Sequence, residues 1–312
     1  MRIVRGLPAV ADVPLALTIG NFDGVHRGHQ VMLERLCEAA EDLRLESAVL
    51  TFDPHPREYF ARASNVASTS TSPRLSTVRA KAEYFAALGV SRMIVARFNA
   101  ELAALSPVTF VDDILVRRLG ARWILVGDDF RFGRARAGDI SLLRGQAKTF
   151  TVEDMAPVVV DGLRISSSAV REALAAGNLT RATALLGRPY RISGRVIHGE
   201  KRGRALGFPT ANLRLPHPPA LSGIFAVQVQ GLGKGPVRGV ASLGVRPTVV
   251  EDGVPLLEVF LFDFNEPIYG RQIAVDFLHK LRDEARYDDL DSLTRQMHAD
   301  VADARGFFAA QR

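Results

Sequence analysis

Through the first half of the chain, short apolar runs alternate with segments in which apolar residues recur every three or four positions. Residues 15–19 form the first run, read as a strand, and the spacing of Leu33, Leu36, Cys37, Ala40 and Leu43 predicts a helix over 28–43. Residues 48–52 predict the next strand. A Ser/Thr-rich stretch, 64–77, reads as a loop; beyond it Val78, Ala82, Phe85 and Leu88 mark a helix stopped by Gly89, and 93–96 a third strand. Ser106 and Pro107 make an N-cap and first-turn pair for a helix carrying Phe110, Val111, Ile114, Leu115 and Leu119 and ended by Gly120; 123–126 is another buried strand. This alternation predicts an open parallel sheet with helices on both faces and a ligand crevice at the carboxyl ends of its strands.

After residue 186 the texture changes. Helices at 168–174 and around 180–186 end at Gly187, with Pro189 just beyond. Strand-like runs then dominate, at 192–197, 225–229, 237–243, 256–264 and 273–277, separated by Gly, Pro and Asp turns. They predict an antiparallel β-barrel. A final helix from 288 to about 307, with Leu290, Leu293, Met297 and Val301 at helical spacing, is expected to pack on the barrel's outside. No internal repeat relates the halves, so two different domains are expected, an α/β domain over 1–186 and a β domain over 187–312.

Composition excludes several classes. Of 312 residues, 47% are apolar and 24% charged, which is ordinary for a globular protein and excludes disordered and fibrous chains. No apolar stretch approaches the ~20 residues of a membrane helix, and the N-terminus lacks a signal-peptide core, so a cytoplasmic protein with no membrane partner is expected. The single Cys37 cannot form an internal disulfide and reads as a core thiol. The net charge of +6 is spread evenly, +3 in each half, and is mostly arginine. That pattern suits scattered phosphate pockets and argues against a nucleic-acid tail.

The chemistry concentrates in a few places. Gly20-Asn21-Phe22-Asp23-Gly24-Val25-His26-Arg27-Gly28-His29 carries the first strand into the first helix. Its glycines admit a close ligand, the helix start offers N–H groups to an anion, and His26 and His29, three apart, face one way. Polyphosphate suits this corner; a metal held by His26, His29, Asp53 and His55 is the alternative. Neither a P-loop nor a Gly-x-Gly-x-x-Gly run is present. Residues 127–133 follow a buried strand, so Asp129 could anchor a ribose or adenine, and the serines 166–168 ahead of Arg171 place hydroxyls and N–H groups at a helix start. In the second half, glycines and basic residues between 199 and 207 (Gly199, Lys201, Arg202, Gly203, Arg204, Gly207) form a positive loop. Thr210 and Asn212, two apart in an extended segment, offer two hard oxygens to Mg²⁺ and phosphate. Glu258 sits inside an apolar strand, where a buried carboxylate needs a partner or a task.

The corner resembles that of the nucleotidylyltransferase superfamily. Together with Thr51-Phe52-Asp53-Pro54-His55-Pro56, Gly127-Asp128-Asp129-Phe130-Arg131-Phe132-Gly133 and Ile165-Ser166-Ser167-Ser168-Ala169-Val170-Arg171, it looks like the adenylyltransferase module of prokaryotic bifunctional riboflavin kinase/FAD synthetases, over about residues 15–186. Ser168 stands where that family usually has threonine and keeps the hydroxyl. The stretch Gly194 to Gly199 and Gly203 to Asn212, with Pro209-Thr210-Ala211-Asn212, resembles the riboflavin kinase module; segments 239–248 and 268–284 extend the match.

The resemblance implies a Rossmann-like nucleotidylyltransferase domain followed by a riboflavin kinase-like barrel with a terminal helix. It implies that riboflavin is phosphorylated by ATP to FMN and FMN adenylated by ATP to FAD and pyrophosphate. Glu258 would be the base that takes the riboflavin 5′-hydroxyl proton, and Thr210 and Asn212 would hold Mg-ATP. His26, His29 and Arg171 would act on the transferring phosphates. Gly20, Phe22, Asp23, Gly24, Asp53, Asp129, Ser167, Ser168, Gly199, Gly203 and Gly207 would line nucleotide and phosphate. The expected partners are ATP, riboflavin, FMN and FAD, without nucleic acid, on a monomer or weak homo-oligomer. An RNA-binding protein with a synthetase-like domain and a single-activity flavin enzyme are the competing readings.

Overall fold

The computed structural model describes residues 1–63, 72–160, 162–199, 207–233, 235–244 and 255–311. They form two compact units, Met1–Ser72 with Ser76–Ser166, and Pro73–Leu75 with Ser167–Arg312. Residues 64–71 of the expected loop, Gly203 with its basic neighbours Lys201, Arg202 and Arg204, and 245–254 lie outside the described residues.

In the first unit, strands β1 (Arg2–Arg5), β2 (Leu15–Ile19), β3 (Glu46–Asp53), β4 (Arg92–Arg97), β5 (Ala121–Gly127) and β6 (Thr151–Met155) make one parallel sheet in the order β1-β4-β3-β2-β5-β6. The helices are α1 (Arg27–Asp42), α2 (Pro56–Ala63), α3 (Val78–Ala87), α4 (Ala100–Ala104), α5 (Pro107–Thr109) and α6 (Ile140–Gly145). All of β2 is buried because each face meets its own core. Leu15, Leu17 and Ile19 join Phe110, Ile114 and Leu119 on one side; Ala16 joins Leu33, Leu36 and Phe85 on the other. The chain moves outward from β2 to β3 and β4, then crosses back to β5 and β6. The switch point therefore lies between β2 and β5, where crossovers diverge and leave a crevice.

Three features of this unit differ from the sequence expectation. Strands β1 and β6 and the small hairpin β7 (Val159–Val160) with β8 (Leu163–Arg164) are short and partly polar, so periodicity does not mark them. The helix after Ser106 starts as expected, with Ser106 Oγ accepting from Thr109 N, but from Phe110 to Arg118 it is a π-helix. The Leu119 N–H bonds to the Ile114 carbonyl at 3.0 Å, and this wider turn keeps Phe110, Ile114, Leu115 and Leu119 in one core.

The second unit opens with α7 (Ser167–Ala175) and α8 (Leu179–Leu186), capped by Gly187 in the left-handed region (φ 73°). Strands β9 (Tyr190–Ile197), β10 (Thr210–Arg214), β11 (Gly223–Gln230), β12 (Val237–Gly244), β13 (Leu256–Leu261) and β14 (Gln272–Arg282) close into a barrel in the order β10-β13-β12-β11-β14-β9. Phe225 and Phe277 meet edge to face at 5.2 Å in its core. Helix α8 packs on β9 and β14, within the barrel unit.

In the last helix, α9 (Leu290–Ala309), Leu290 is 66% exposed and departs from the expected stripe, whereas Leu293, Met297 and Val301 are partly buried on the side of Asp300, Ala304 and Phe308. A charged residue also lies on that buried side. Arg282 of β14 grips Asp300 through two hydrogen bonds of 2.7 and 2.6 Å, and Gln296 adds a third at 3.0 Å. Among the described residues no helix is long and apolar enough to cross a membrane. Asp300→Ala leaves Arg282 unmatched and should lower stability by about 2–4 kcal/mol, with faster amide exchange concentrated in α9; a denaturant midpoint and exchange profile check both.

Candidate active sites

Because all six strands are parallel, the residues after β2, β3 and β5 leave the sheet at one edge. The turn after β2 is unusual. Phe22 (φ 49°), Gly24 (φ 83°) and Val25 (φ 42°) all lie in the left-handed region, which costs a β-branched valine most. Burial holds them there, with Phe22 2% and Val25 0% exposed and Phe22 packed edge to face on Phe85 at 5.5 Å. Ser76, just ahead of α3, completes the clamp: its N–H and hydroxyl reach Asp23 Oδ1 at 3.0 and 3.2 Å, and its oxygen accepts from Gly24 N at 2.9 Å. Asp23 thus serves the shape of the turn.

His26 caps α1, its Nδ1 accepting from His29 N at 3.3 Å, which puts the neutral ring's proton on Nε2. The two rings stack 3.6 Å apart at 14°, with Phe22 at 4.9 Å from His29. The i, i+3 pair therefore forms one face at the start of a four-turn helix, a place that favours anions. Gly20 ends β2, and Asp53 ends the neighbouring β3. Among the described residues no three His, Cys, Asp or Glu side chains gather as a metal set, so the histidine metal alternative is not assembled.

Across the switch point, Asp129 is largely exposed and bound by Arg164 of β8 at 2.7 Å; the same guanidinium lies 3.5 Å from Asp128. Sequence reasoning missed Arg164, which sits in a two-residue strand without pattern. It also missed an aromatic cluster at the carboxyl edge of β3 and β4. Phe98 meets Phe52, Tyr59 and Phe60 within 5.8 Å, and Phe60 is 54% exposed. Scattered aromatics carry no sequence signal until the fold gathers them. Cys37 is half-buried, and burial pushes its thiol up, as expected of a packed thiol.

In the second unit, Ser167 and Ser168 occupy the first turn of α7, and Arg171 Nε donates to the Pro73 carbonyl at 2.7 Å. In the barrel, antiparallel register places Asn212 of β10 directly opposite Glu258 of β13, and Glu258 in turn opposite Ser242 of β12. Directly paired residues share a face, so amide, carboxylate and hydroxyl form one row on the outside of the barrel. Glu258 is accordingly half-buried, with Leu257 and Val259 pointing inward and the half-buried Leu256 and Phe260 beside it on the outer face.

Asn212 is 4% exposed; its Nδ2 donates to the Thr210 carbonyl at 3.1 Å and lies 3.4 Å from Thr210 Oγ1. Its Oδ1 is buried and has no partner among the described residues. A hard, buried, unsatisfied oxygen beside a threonine hydroxyl fits a magnesium–phosphate ligand. Gly199 closes the cradle, since a Cβ there would fall 2.5 Å from Asn212 Nδ2. Gly207 (φ 84°) leads into Phe208, which packs on Phe260 and His298. Arg305 binds Asp263 at 3.0 Å and holds its carboxyl below the usual range, so it is a poor proton acceptor.

A parallel-sheet unit with a stacked histidine pair at a helix start, followed along the chain by a closed barrel with an Asn–Glu row, suits an enzyme with nucleotidyl- and phosphoryl-transfer activities. A FAD synthetase family model matches residues 10–169 and a riboflavin kinase family model residues 186–308. Curated bifunctional riboflavin kinase/FMN adenylyltransferases are 43% identical in Escherichia coli K12, 44% in Haemophilus influenzae and 45% in Pseudomonas fluorescens. Each alignment spans 99% of this chain and at least 98% of the relative. A crystal structure described as a macrolide-efflux protein from Streptococcus pneumoniae superposes with TM-score 0.78 and 28% identity, over 96% of this chain and 97% of that one. The chain belongs to the bifunctional riboflavin kinase/FMN adenylyltransferase family. It phosphorylates riboflavin and adenylates FMN with ATP, which sets aside the single-activity reading.

Gly199→Ala should push the Asn212 amide out of its cradle and lower FMN formation by about tenfold or more, chiefly through the KM for ATP. Initial rates of riboflavin phosphorylation across an ATP series measure it, with FMN adenylation by the same chain as the internal reference.

Proposed function

We propose that the two reactions divide between residues 1–186, which adenylate FMN, and residues 187–312, which phosphorylate riboflavin, in the cytoplasm. The observation that carries the kinase assignment is the register pairing of Asn212 with Glu258. Glu258 takes the proton from the riboflavin 5′-hydroxyl as its oxygen attacks the γ-phosphorus of ATP and ADP leaves. Thr210 and Asn212 would hold Mg²⁺ and the phosphates, with Gly199 and Gly207 beside them in the sequence. The ion, when bound, neutralises charge on the β- and γ-oxygens.

In adenylation an FMN phosphate oxygen attacks the α-phosphorus of a second ATP and pyrophosphate leaves. The attacking phosphate is already ionised, so positioning and charge stabilisation suffice. His26 and His29 donate to the transferring phosphates, while Gly20, Phe22 and Gly24 shape their turn. Asp53 and Asp129 contact the nucleotide. The aromatic cluster around Phe60 and Phe98 offers a stacking surface for a planar flavin ring.

Glu258→Gln keeps volume and one acceptor but cannot take a proton; FMN formation should fall about 10²- to 10⁴-fold while adenylation of supplied FMN stays within about twofold. Asp263→Asn should leave both rates within about twofold. Chromatographic separation of riboflavin, FMN and FAD reads all of these, and a Glu258→Gln chain with near-normal kinase turnover would remove the base assignment. Conversely, His29→Ala should slow FMN to FAD by about 10²-fold or more and spare riboflavin phosphorylation; equal loss of both activities would point to misfolding instead.

A further inference from the structure

Helix α3 braces the histidine corner from behind, and one of its side chains has no part in the steps above. Lys81 is 4% exposed, and an ammonium group is kept from water only where acceptors meet it. Its Nζ donates to the Asn21 carbonyl at 2.9 Å and to Thr51 Oγ1 at 3.4 Å; the fully buried Thr51 hydroxyl itself donates to the same carbonyl at 3.3 Å. Asn21 is where the chain leaves β2 for the left-handed turn Phe22–Val25. Two other contacts come from the same direction, Ser76 on Asp23 and Gly24, and Phe85 on Phe22. The turn is thus gripped at three points, and Lys81 is the charged one.

We propose that Lys81 is a positioning residue for adenylyl transfer: its buried ammonium ties the Asn21 carbonyl to the Thr51 hydroxyl, fixing the turn that carries His26 and His29. This rests on the assignment of that corner to the transfer step. A lysine under a strained turn does what a neutral side chain cannot, because one cation satisfies two acceptors and its field favours phosphate on the ligand side. Small errors in placing such donors cost rate more than binding, since the interactions strengthen in the transition state.

The test uses the full chain with Lys81→Met and Lys81→Gln. Lys81→Met should lower kcat for FMN to FAD about 30- to 100-fold, with the KM for ATP within about threefold and riboflavin phosphorylation within about twofold. Lys81→Gln, which keeps a donor but no charge, should fall in between. Independently of activity, exchange of the Gly24 and Val25 amides should quicken at least tenfold in Lys81→Met, with α1 unchanged. Adenylation within threefold of the parent overturns the proposal. So does a loss of exchange protection throughout the parallel sheet, since Lys81 would then only hold the unit together; if Lys81→Met does not fold, Lys81→Gln is judged by the same criteria. His29→Ala, run in parallel, separates the two ideas. A normal rate in that variant means the corner assignment is wrong, whereas a slow His29→Ala beside a normal Lys81→Met means the fault lies with Lys81.

Discussion

Strand register is the constraint on which both reactions depend. In a sheet the side chains alternate faces with a period of two, so a slip of one residue would move every functional group to the wrong side. In the barrel, Asn212 opposite Glu258 opposite Ser242 exists only in the observed register. In the parallel sheet, register sets the common edge where Gly20, Asp53 and Gly127 leave the strands. That register is itself held by burial: every residue of β2 and the inward residues of β13 are packed, so slippage would expose apolar surface at about 25 cal/mol per Å².

In the proposed assignment the two sites handle phosphate by different physical means. The corner after β2 relies on a short, strained turn and the start of a long helix, where backbone dipoles and imidazole donors favour negative charge without a dedicated lysine loop. Left-handed φ at Phe22 and Val25 costs of order 1–3 kcal/mol each, and their near-complete burial offsets it. The barrel instead presents oxygen ligands from a strand. Thr210 spends its carbonyl on the Asn212 Nδ2, which leaves Oδ1 without a partner among the described residues, and Gly199 leaves the space the amide requires. One site is shaped by a helix start, the other by a cross-strand row, and each suits the charge it meets.

Arginine recurs as the residue that fastens elements. Arg282 pins the terminal helix through Asp300, Arg191 holds the buried Asp276 at 2.6 and 2.7 Å, and the 5% exposed Arg92 bridges Asp12 and Glu46. A planar guanidinium meets a carboxylate with two parallel hydrogen bonds, so these pairs set orientation as well as proximity. Much of the arginine excess in the composition is therefore structural.

By itself, the sequence determined the alternation of strands and helices, the change of texture near residue 187, and the motifs from Gly20 to His29 and from Pro209 to Asn212. Those are local signals: apolar period, turn residues, glycines and paired functional groups a few positions apart. The tertiary structure alone decided the short edge strands β1 and β6, the π-helical turn, the inward Asp300, and the company of Asn212 with Glu258, Phe60 with Phe98, and Arg164 with Asp129. The pairings join residues far apart along the chain, 18 positions for Arg282 with Asp300, 46 for Asn212 with Glu258 and 90 for Arg2 of β1 with Arg92 of β4. Glu258 shows the division within one residue: its rarity in an apolar run marked it, but only the barrel's register turned it to the outer face beside Asn212, because pairing, not composition, assigns a strand residue its side.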